Sequence, residues 1–542
     1  MPSETYGIVE AYLKDVDDQI SCKLGLSSVN EELRGHIEDK TALYMEYGLD
    51  REEACRRAVR DMGAPDVVGM ELNKRRRLRT AKPLLFVVLA LMAVGLTGEL
   101  LRSAAGRSMS DIILEAAGQR YYLWGLLVLF LLARFGYPFL LRHTKGVCVL
   151  FLAVCAFFGG LYLSLKVCPG WVDRLYAYTA TRLPGMLFHM FISLFHTTLF
   201  LGIIQLAVPV GAVLLYRKRN QYFRGIFFFC LFQALMILLG KGNFLQERSY
   251  IPILILLSSC LGTALYLLRK GWCSVKKSQG AAAALAGFCI LLIFWAAPQW
   301  SRIRGNLEVC VNPGSRASVT DAWDDSYNNV LIRELLGRAR AFGQIELTEE
   351  ELVRYGTSQW YYEDGDGNWN NGSETSVRPF EEHVAYRMQF LEEPDLREIL
   401  PQSYMENYRI SWWALRYGWV PALFLTVLVL ALPAAALWTA FRIRNRLGRL
   451  TAFSGALVFS VQTVFYLVEN FGFQFGAFSN LPFVAEGLVS ITGSAVLAGL
   501  ILSAYRFDTV IEESEVPVTS GYHPASSDSG TPADKHRKRR ES

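Results

Sequence analysis

From residue 83 onward, apolar residues fall in runs of about twenty, the length that crosses a bilayer core of ~30 Å. The pattern predicts ten membrane-spanning helices near 83–101, 121–141, 146–166, 186–214, 222–240, 250–268, 281–298, 419–440, 450–469 and 484–505. The fourth run is long for one crossing and implies tilt or a break at Pro209. Residues 1–82 are patterned differently. Val9, Tyr12, Leu13, Val16 and Ile20 recur at helical spacing, as do Val29, Leu33 and Ile37, then Ala54, Ala58, Val59 and Met62. Ser28 with Glu31 reads as a capping box, and Gly48 and Gly63 suit helix ends. Three short helices and a basic fourth segment, Lys74–Lys82, are expected. The fold class is therefore an all-α polytopic membrane protein with ten transmembrane helices and a small N-terminal cytoplasmic helical domain. The membrane domain covers 83–506, and 507–542, rich in Ser, Pro and charge, is expected to be a disordered cytoplasmic tail.

Lys and Arg near the ends of the runs set the orientation. Basic residues precede the first run and fill every second connection: Arg142 and Lys145, then Arg217 to Arg224, then Arg269 to Lys277, then Arg442 to Arg449. Lys535 to Arg540 close the chain. Both termini are expected in the cytoplasm and the connection 299–418 outside. That loop holds twelve Arg, no Lys and twenty Asp or Glu, and is too long for a mere connector.

Composition narrows the class. The 542 residues are 52% hydrophobic and only 19% charged, which excludes a single soluble enzyme, a disordered chain and a collagen-like protein. A net charge of +5 gives no reason to expect nucleic acid as a partner. The ten Cys are scattered and five fall inside apolar runs, as small core residues do. Only Cys168 and Cys310 are expected outside, which allows one disulfide. Residues 1–82 are charged and polar, so no signal peptide is expected ahead of the first run.

Two resemblances follow from particular residues. Tyr12-Leu13, Glu32-Leu33, His36-Ile37, Gly48-Leu49, Ala54, Ala58 and Met62-Gly63-Ala64-Pro65 resemble the permease prefix (HAAS) domain, which implies a cytoplasmic regulatory or contact module without chemistry of its own. Farther on stand Asn312-Pro313, Ser326-Tyr327-Asn328, Leu336-Gly337 and Phe342-Gly343. Then come Leu400-Pro401-Gln402-Ser403-Tyr404-Met405-Glu406, Tyr417-Gly418-Trp419-Val420, Asn470-Phe471-Gly472, Leu481-Pro482-Phe483 and Gly487, with Gly499-Leu500, Ser503 and Arg506 last. Ser103-Ala104 and Tyr137 to Arg142 match more weakly. In this order, with ten runs, residues 80–506 resemble the SEDS (shape, elongation, division and sporulation) family, the FtsW/RodA/SpoVE proteins.

That resemblance implies a bacterial membrane glycosyltransferase that polymerises an undecaprenyl-type lipid-linked disaccharide-peptide precursor into peptidoglycan, working with a class B penicillin-binding protein. The family's essential Asp ends a Leu-Pro-Glu-x-His-Thr-Asp motif. Counted from Leu400-Pro401 its position is Glu406; counted back from Gly418 it is Asn407, and Glu406 keeps the carboxylate. A positioned carboxylate can take the proton of the attacking sugar hydroxyl, worth ~10²–10⁴-fold in rate. Arg409 and Arg416, or a divalent cation, could neutralise the departing diphosphate. Leu400, Pro401, Asn470, Pro482, Phe483 and Glu486 complete the substrate-binding set that the resemblance implies. The chain departs from the pattern at Gln402, Tyr404-Met405, Arg416-Tyr417, Ala485 and Leu488. Between the third and fourth runs, only Leu183-Pro184-Gly185 is similar to the family signature. A non-catalytic envelope scaffold or sensor, or a lipid-linked-sugar transporter, stays open as an alternative.

Other features read more plainly. Asp364-Gly365-Asp366-Gly367-Asn368-Trp369-Asn370 starts like a calcium loop but lacks its Gly at position six and its acid at twelve, so a hairpin turn is expected, inside an insertion of roughly 345–398. Glu99 and Arg134 lie in or near spans, where a charge is a functional candidate; pairing with each other or reaching the interface is the simpler role. His189 and His196 share a helix face without a third ligand, and core packing is the simpler role.

Overall fold

The computed structural model describes residues 2–23, 26–104, 120–167, 200–244, 250–312, 325–348, 359–363, 367–371, 386–389, 396, 400, 408–475, 481–484 and 488–511. Glu99 lies in a described helix, but its side chain is outside the description, and His189, His196 and Cys168 lie outside altogether.

Four helices form the N-terminal domain: α1 (Pro2–Asp18), α2 (Leu26–Glu46), α3 (Arg51–Asp61) and α4 (Pro65–Arg75). Tyr12, Leu13, Val16 and Ile20 pack against Val29, Leu33, Ile37 and Ala58, with Val9, Val59 and Met62 at the margin. These are the positions that the 3.6-residue spacing singles out. Two local expectations need correction. The basic fourth segment is preceded by a helix of its own, α4, which starts at Pro65, where a ring with no N–H costs nothing. And α2 begins at Leu26, so Ser28 sits inside its first turn rather than ahead of it. Gly48 and Gly63 do follow helix ends, with φ of 88° and 96°.

The remaining body is helical: α5 (Lys82–Ala104), α6 (Arg120–Val167), α7 (Phe200–Arg217), α8 (Tyr222–Phe244), α9 (Tyr250–Arg269), α10 (Lys277–Ala296), α11 (Trp300–Val311), α12 (Asp325–Arg338), α13 (Arg409–Arg416), α14 (Trp419–Phe441), α15 (Arg446–Asn470) and α16 (Leu488–Arg506). Among the described residues five helical stretches are long and apolar enough to cross a membrane: Tyr121–Val154, Ile251–Arg269, Lys277–Ala296, Trp419–Phe441 and Arg446–Asn470. The main body is a helical, multi-pass membrane-associated protein.

Helix α6 merges two predicted runs. The expected loop at 142–145 shrinks to one residue out of helical geometry, His143 (φ −113°, ψ 22°). Pro138 has no N–H to give the preceding turn. The Thr144 hydroxyl donates to the Leu140 carbonyl (2.7 Å), and Arg217 donates to the Leu141 carbonyl, so the groups freed at the break are satisfied. Helix α7 continues through Pro209 without a break. The start of α6 and α16 run side by side: Gly125 meets Ile491, Leu132 meets Gly499, and the Tyr137 amide donates to the Ser503 hydroxyl (3.0 Å).

The predicted hairpin is present and is part of a small sheet. Strand β1 (Gln359–Glu363) pairs antiparallel with β2 (Trp369–Asn371), Glu363 opposite Trp369, and on its other edge with β3 (Tyr386–Gln389), Tyr362 opposite Tyr386. The insertion therefore carries the described strands of an otherwise helical chain.

The basic segments meet at one end. Arg217 reaches Leu141, the Ser274 amide donates to the Arg219 carbonyl, and Arg449 lies over the Trp272 ring. Asp508, just past α16, completes the set. Its Oδ1 accepts the amides of Arg444 (2.6 Å) and Asn445 (2.8 Å), and its Oδ2 lies 4.0 Å from the Arg79 guanidinium. Arg76 donates to the Val510 carbonyl and Thr509 to the Arg77 carbonyl, so the strap between α4 and α5 is tied to the end of α16. Asp508→Ala strands two part-buried amides and should cost about 1–2 kcal/mol. Thermal unfolding in detergent should show a clear drop for Asp508→Ala and a smaller one for Asp508→Asn, which keeps an acceptor.

Candidate functional site

At the far end of α15 from the basic segments, an eight-residue helix, α13, docks on the turn that follows α15. Its sequence RISWWALR buries Arg409, Ile410, Ser411, Ala414 and Leu415 on one face. Residue 408 is a Tyr and supplies no side-chain cap. Asn470 supplies one from sixty residues away. Its Oδ1 accepts the amides of Ile410 (3.1 Å) and Ser411 (3.3 Å), and its Nδ2 donates to the Tyr466 carbonyl (2.9 Å). The Ser411 hydroxyl donates to the Asn470 carbonyl (2.6 Å). Asn470 thus caps α13 and closes α15 at once, a backbone-binding role.

The next residues continue the joint. Gly472 sits at φ +78°, and a Cβ there would come within 2.7 Å of the Arg333 side chain. Its carbonyl accepts from Arg333 Nε (2.8 Å), and the same guanidinium lies 3.9 Å from the Phe473 ring centroid. Burial pushes the Arg333 guanidinium below its ordinary value. Gln474 Oε1 accepts from Asn328 (3.0 Å) and from the Tyr408 hydroxyl (2.6 Å). Asn329 donates to the Gln474 carbonyl (3.1 Å) and accepts its amide (2.7 Å). Three segments far apart in sequence, 328–333, 408–411 and 470–474, are thereby fastened together.

Beneath this layer lie two buried charges of opposite sign. Arg409 has no exposed surface and Glu469 only 1%. Both stand within electrostatic reach of the buried Tyr466. Such charges are tolerated only when they face each other or other polar groups.

The predicted site residues do not gather in one place. Arg409 and Asn470 come together. Arg416 does not join them: it lies seven residues along α13, about 10 Å away, half-buried and donating to Gln344. Beside it, segment 340–345 runs along 415–420. The Trp419 amide donates to the Arg340 carbonyl (2.9 Å) and the Ile345 amide to the Leu415 carbonyl (2.9 Å). Gly418 is fixed there by φ +98° and by the Ala341 carbonyl oxygen, 2.5 Å from where a Cβ would stand. Leu400 belongs to the apolar cluster below α13, with Leu331, Leu335, Leu396, Tyr408 and Leu415.

Pro482 and Phe483 form a second, deeper location. Both are buried, and the Phe483 ring lies 6.2 Å from that of Phe459, eleven residues and so about 16 Å along α15 from Asn470. Phe483 adopts φ +65°, a left-handed conformation that costs a bulky residue about 1–3 kcal/mol. The Tyr122 hydroxyl donates to the neighbouring Val484 carbonyl (3.5 Å). Pro401, Glu406 and Glu486 lie outside the described residues. Among the described residues no group of three or more His, Cys, Asp or Glu comes together to hold a metal ion.

Glu469, Tyr466, Gln474, Asn329 and Arg333 are joint residues that the sequence alone does not single out. An acid closing an apolar run, as Glu469 does, is the signal it offers. Compared with known proteins, the chain matches no family model and no curated protein.

Asn470→Ala removes the cap from two α13 amides and should cost about 1–3 kcal/mol, whereas Asn470→Asp keeps the acceptor and should cost less. Limited proteolysis should cut Asn470→Ala within 400–416 faster than wild type, and Asn470→Asp at an intermediate rate.

Proposed function

We propose that the chain is a divergent SEDS-type glycosyltransferase of cell division, cell shape or sporulation. It polymerises an undecaprenyl-linked disaccharide-peptide at the outer face of a bacterial membrane, with Glu406 as general base and a class B penicillin-binding protein as partner. One observation carries the reading: Asn470 fastens the segment that follows Leu400 to Glu406 onto the end of α15, so two motifs sixty residues apart form one structure.

In the reaction, the acceptor sugar hydroxyl attacks the donor's anomeric carbon and forms the new glycosidic bond. The bond to the lipid diphosphate breaks, and the carboxylate takes the hydroxyl proton. The leaving group gains negative charge and needs a cation beside it. Arg416, half-buried, is a cation that a polar substrate can reach, while Arg409 is fully buried. A divalent cation could share the first task. The proposal includes ten crossings with both termini cytoplasmic. It is supported by the basic segments that meet at one end, with the Asn470 joint at the other.

A second reading, a non-catalytic envelope scaffold, draws on the same joint. Asn470 is occupied with backbone groups and Arg409 with Glu469 is shut away from solvent.

The test is polymerisation of lipid-linked disaccharide-pentapeptide by the full chain in proteoliposomes, with and without a class B partner. Glu406→Gln should lower the rate by ~10²–10⁴-fold. Full activity in that variant would remove Glu406 from the mechanism. No product from folded wild type under either condition would favour the scaffold.

A further inference from the structure

The N-terminal domain holds a cavity that the proposed chemistry does not use. It lies between α1, α2 and α3 and has a volume of about 580 Å³. Pockets for small organic ligands run ~300–1,000 Å³. Its deep side is apolar: Ile37 is 1% exposed, Cys55 is 4% exposed, and Val9 lies beside them. Burial raises the Cys55 thiol, so that side carries no negative charge at neutral pH.

Cations mark the rest of the lining. Arg34 and Arg51 line the cavity with one acid, Glu38. Arg34 is held in place: its guanidinium is bonded to Glu10 and lies 5.6 Å from the Tyr6 ring centroid. A guanidinium has five N–H donors, more than one carboxylate uses. Arg51 is the first residue of α3, directly after Asp50, which caps that helix. The Thr5 and Thr41 hydroxyls add polar groups, and the Tyr6 ring offers an aromatic face.

We infer that this cavity binds a small amphiphilic anion, an apolar body on Val9, Ile37 and Cys55 with one carboxylate or phosphate at Arg34 and Arg51. The site is independent of the proposed glycosyltransferase reaction and would give the domain a chemical input.

The test uses the full chain in phosphatidylcholine nanodiscs. Fluorescence titrations with 1-naphthyl phosphate and 1-naphthaleneacetate compare the two anionic heads, and 1-naphthol is the neutral control. At least one anion should bind saturably, one per chain, and at least tenfold more tightly than 1-naphthol. Arg51→Glu should weaken that binding tenfold or more. Ala42→Trp, at an exposed lining position, should abolish it with helix content unchanged. In wild type the bound anion should also slow alkylation of Cys55 by N-ethylmaleimide, read by peptide mass, a measurement that needs no variant. Absence of saturable binding, equal binding of 1-naphthol, undiminished binding in Ala42→Trp or unchanged Cys55 alkylation would overturn the inference.

Discussion

A helix that ends must hand its last carbonyls to some partner, and a helix that begins must do the same with its first amides. At the end of α15 both demands meet at Asn470. The Leu467 and Val468 carbonyls accept the Phe471 amide, and the Glu469 carbonyl accepts the amide of Gly472. The Tyr466 carbonyl takes the Asn470 side chain, and the Asn470 carbonyl takes the Ser411 hydroxyl. The same side-chain oxygen then caps α13. Remove that amide and two helix termini lose partners in a place with little water to replace them. The polar layer of Asn328, Asn329, Arg333, Tyr408 and Gln474 is built around this joint, where Arg409 and Glu469 are buried.

Asp508 does the equivalent at the other end. One carboxylate oxygen takes two backbone amides from the α14–α15 connection, and the other faces the strap that leads out of the N-terminal domain. Anything that moved α4 would pull on Arg76 and Arg79 and so on the end of α16. The contact of α6 with α16 extends that connection into the apolar body. The N-terminal domain is thereby joined through the strap and α16 to the apolar body.

Much of this is legible in the chain. The period of 3.6 in residues 9–37 and 54–62 marks the positions that pack together, because an amphipathic helix has only one face to bury. Long apolar runs mark the membrane helices for the same reason of solvent. The α4 helix escapes such a reading because its apolar residues do not keep to one face: Val67 and Met70 are exposed while Val68 and Leu72 pack on the core, and its start is signalled only by Pro65. The turn at His143 is overdrawn by the pattern, because charge at Arg142 and Lys145 resembles a loop, whereas Thr144 and Arg217 repair the local break. At the site, the motifs at 400–418 and 470–472 are visible, but not their junction. A cap supplied from another segment leaves no local trace, since its donor and acceptor lie sixty residues apart. Glu469 escapes for a related reason: Arg409, the buried charge nearest the same joint, is brought there by tertiary folding alone.

The cap that Asn470 places on α13 holds the joint together, and amide hydrogen exchange reads that contact directly. In the full chain in lipid, the Ile410 and Ser411 amides should exchange as slowly as the Trp412 and Tyr417 amides, which are bonded within the same helix. Asn470→Ala should release the Ile410 and Ser411 amides first. Fast exchange of both in the wild-type protein, at the rate of unbonded chain, would contradict the joint and with it the site assembled around it.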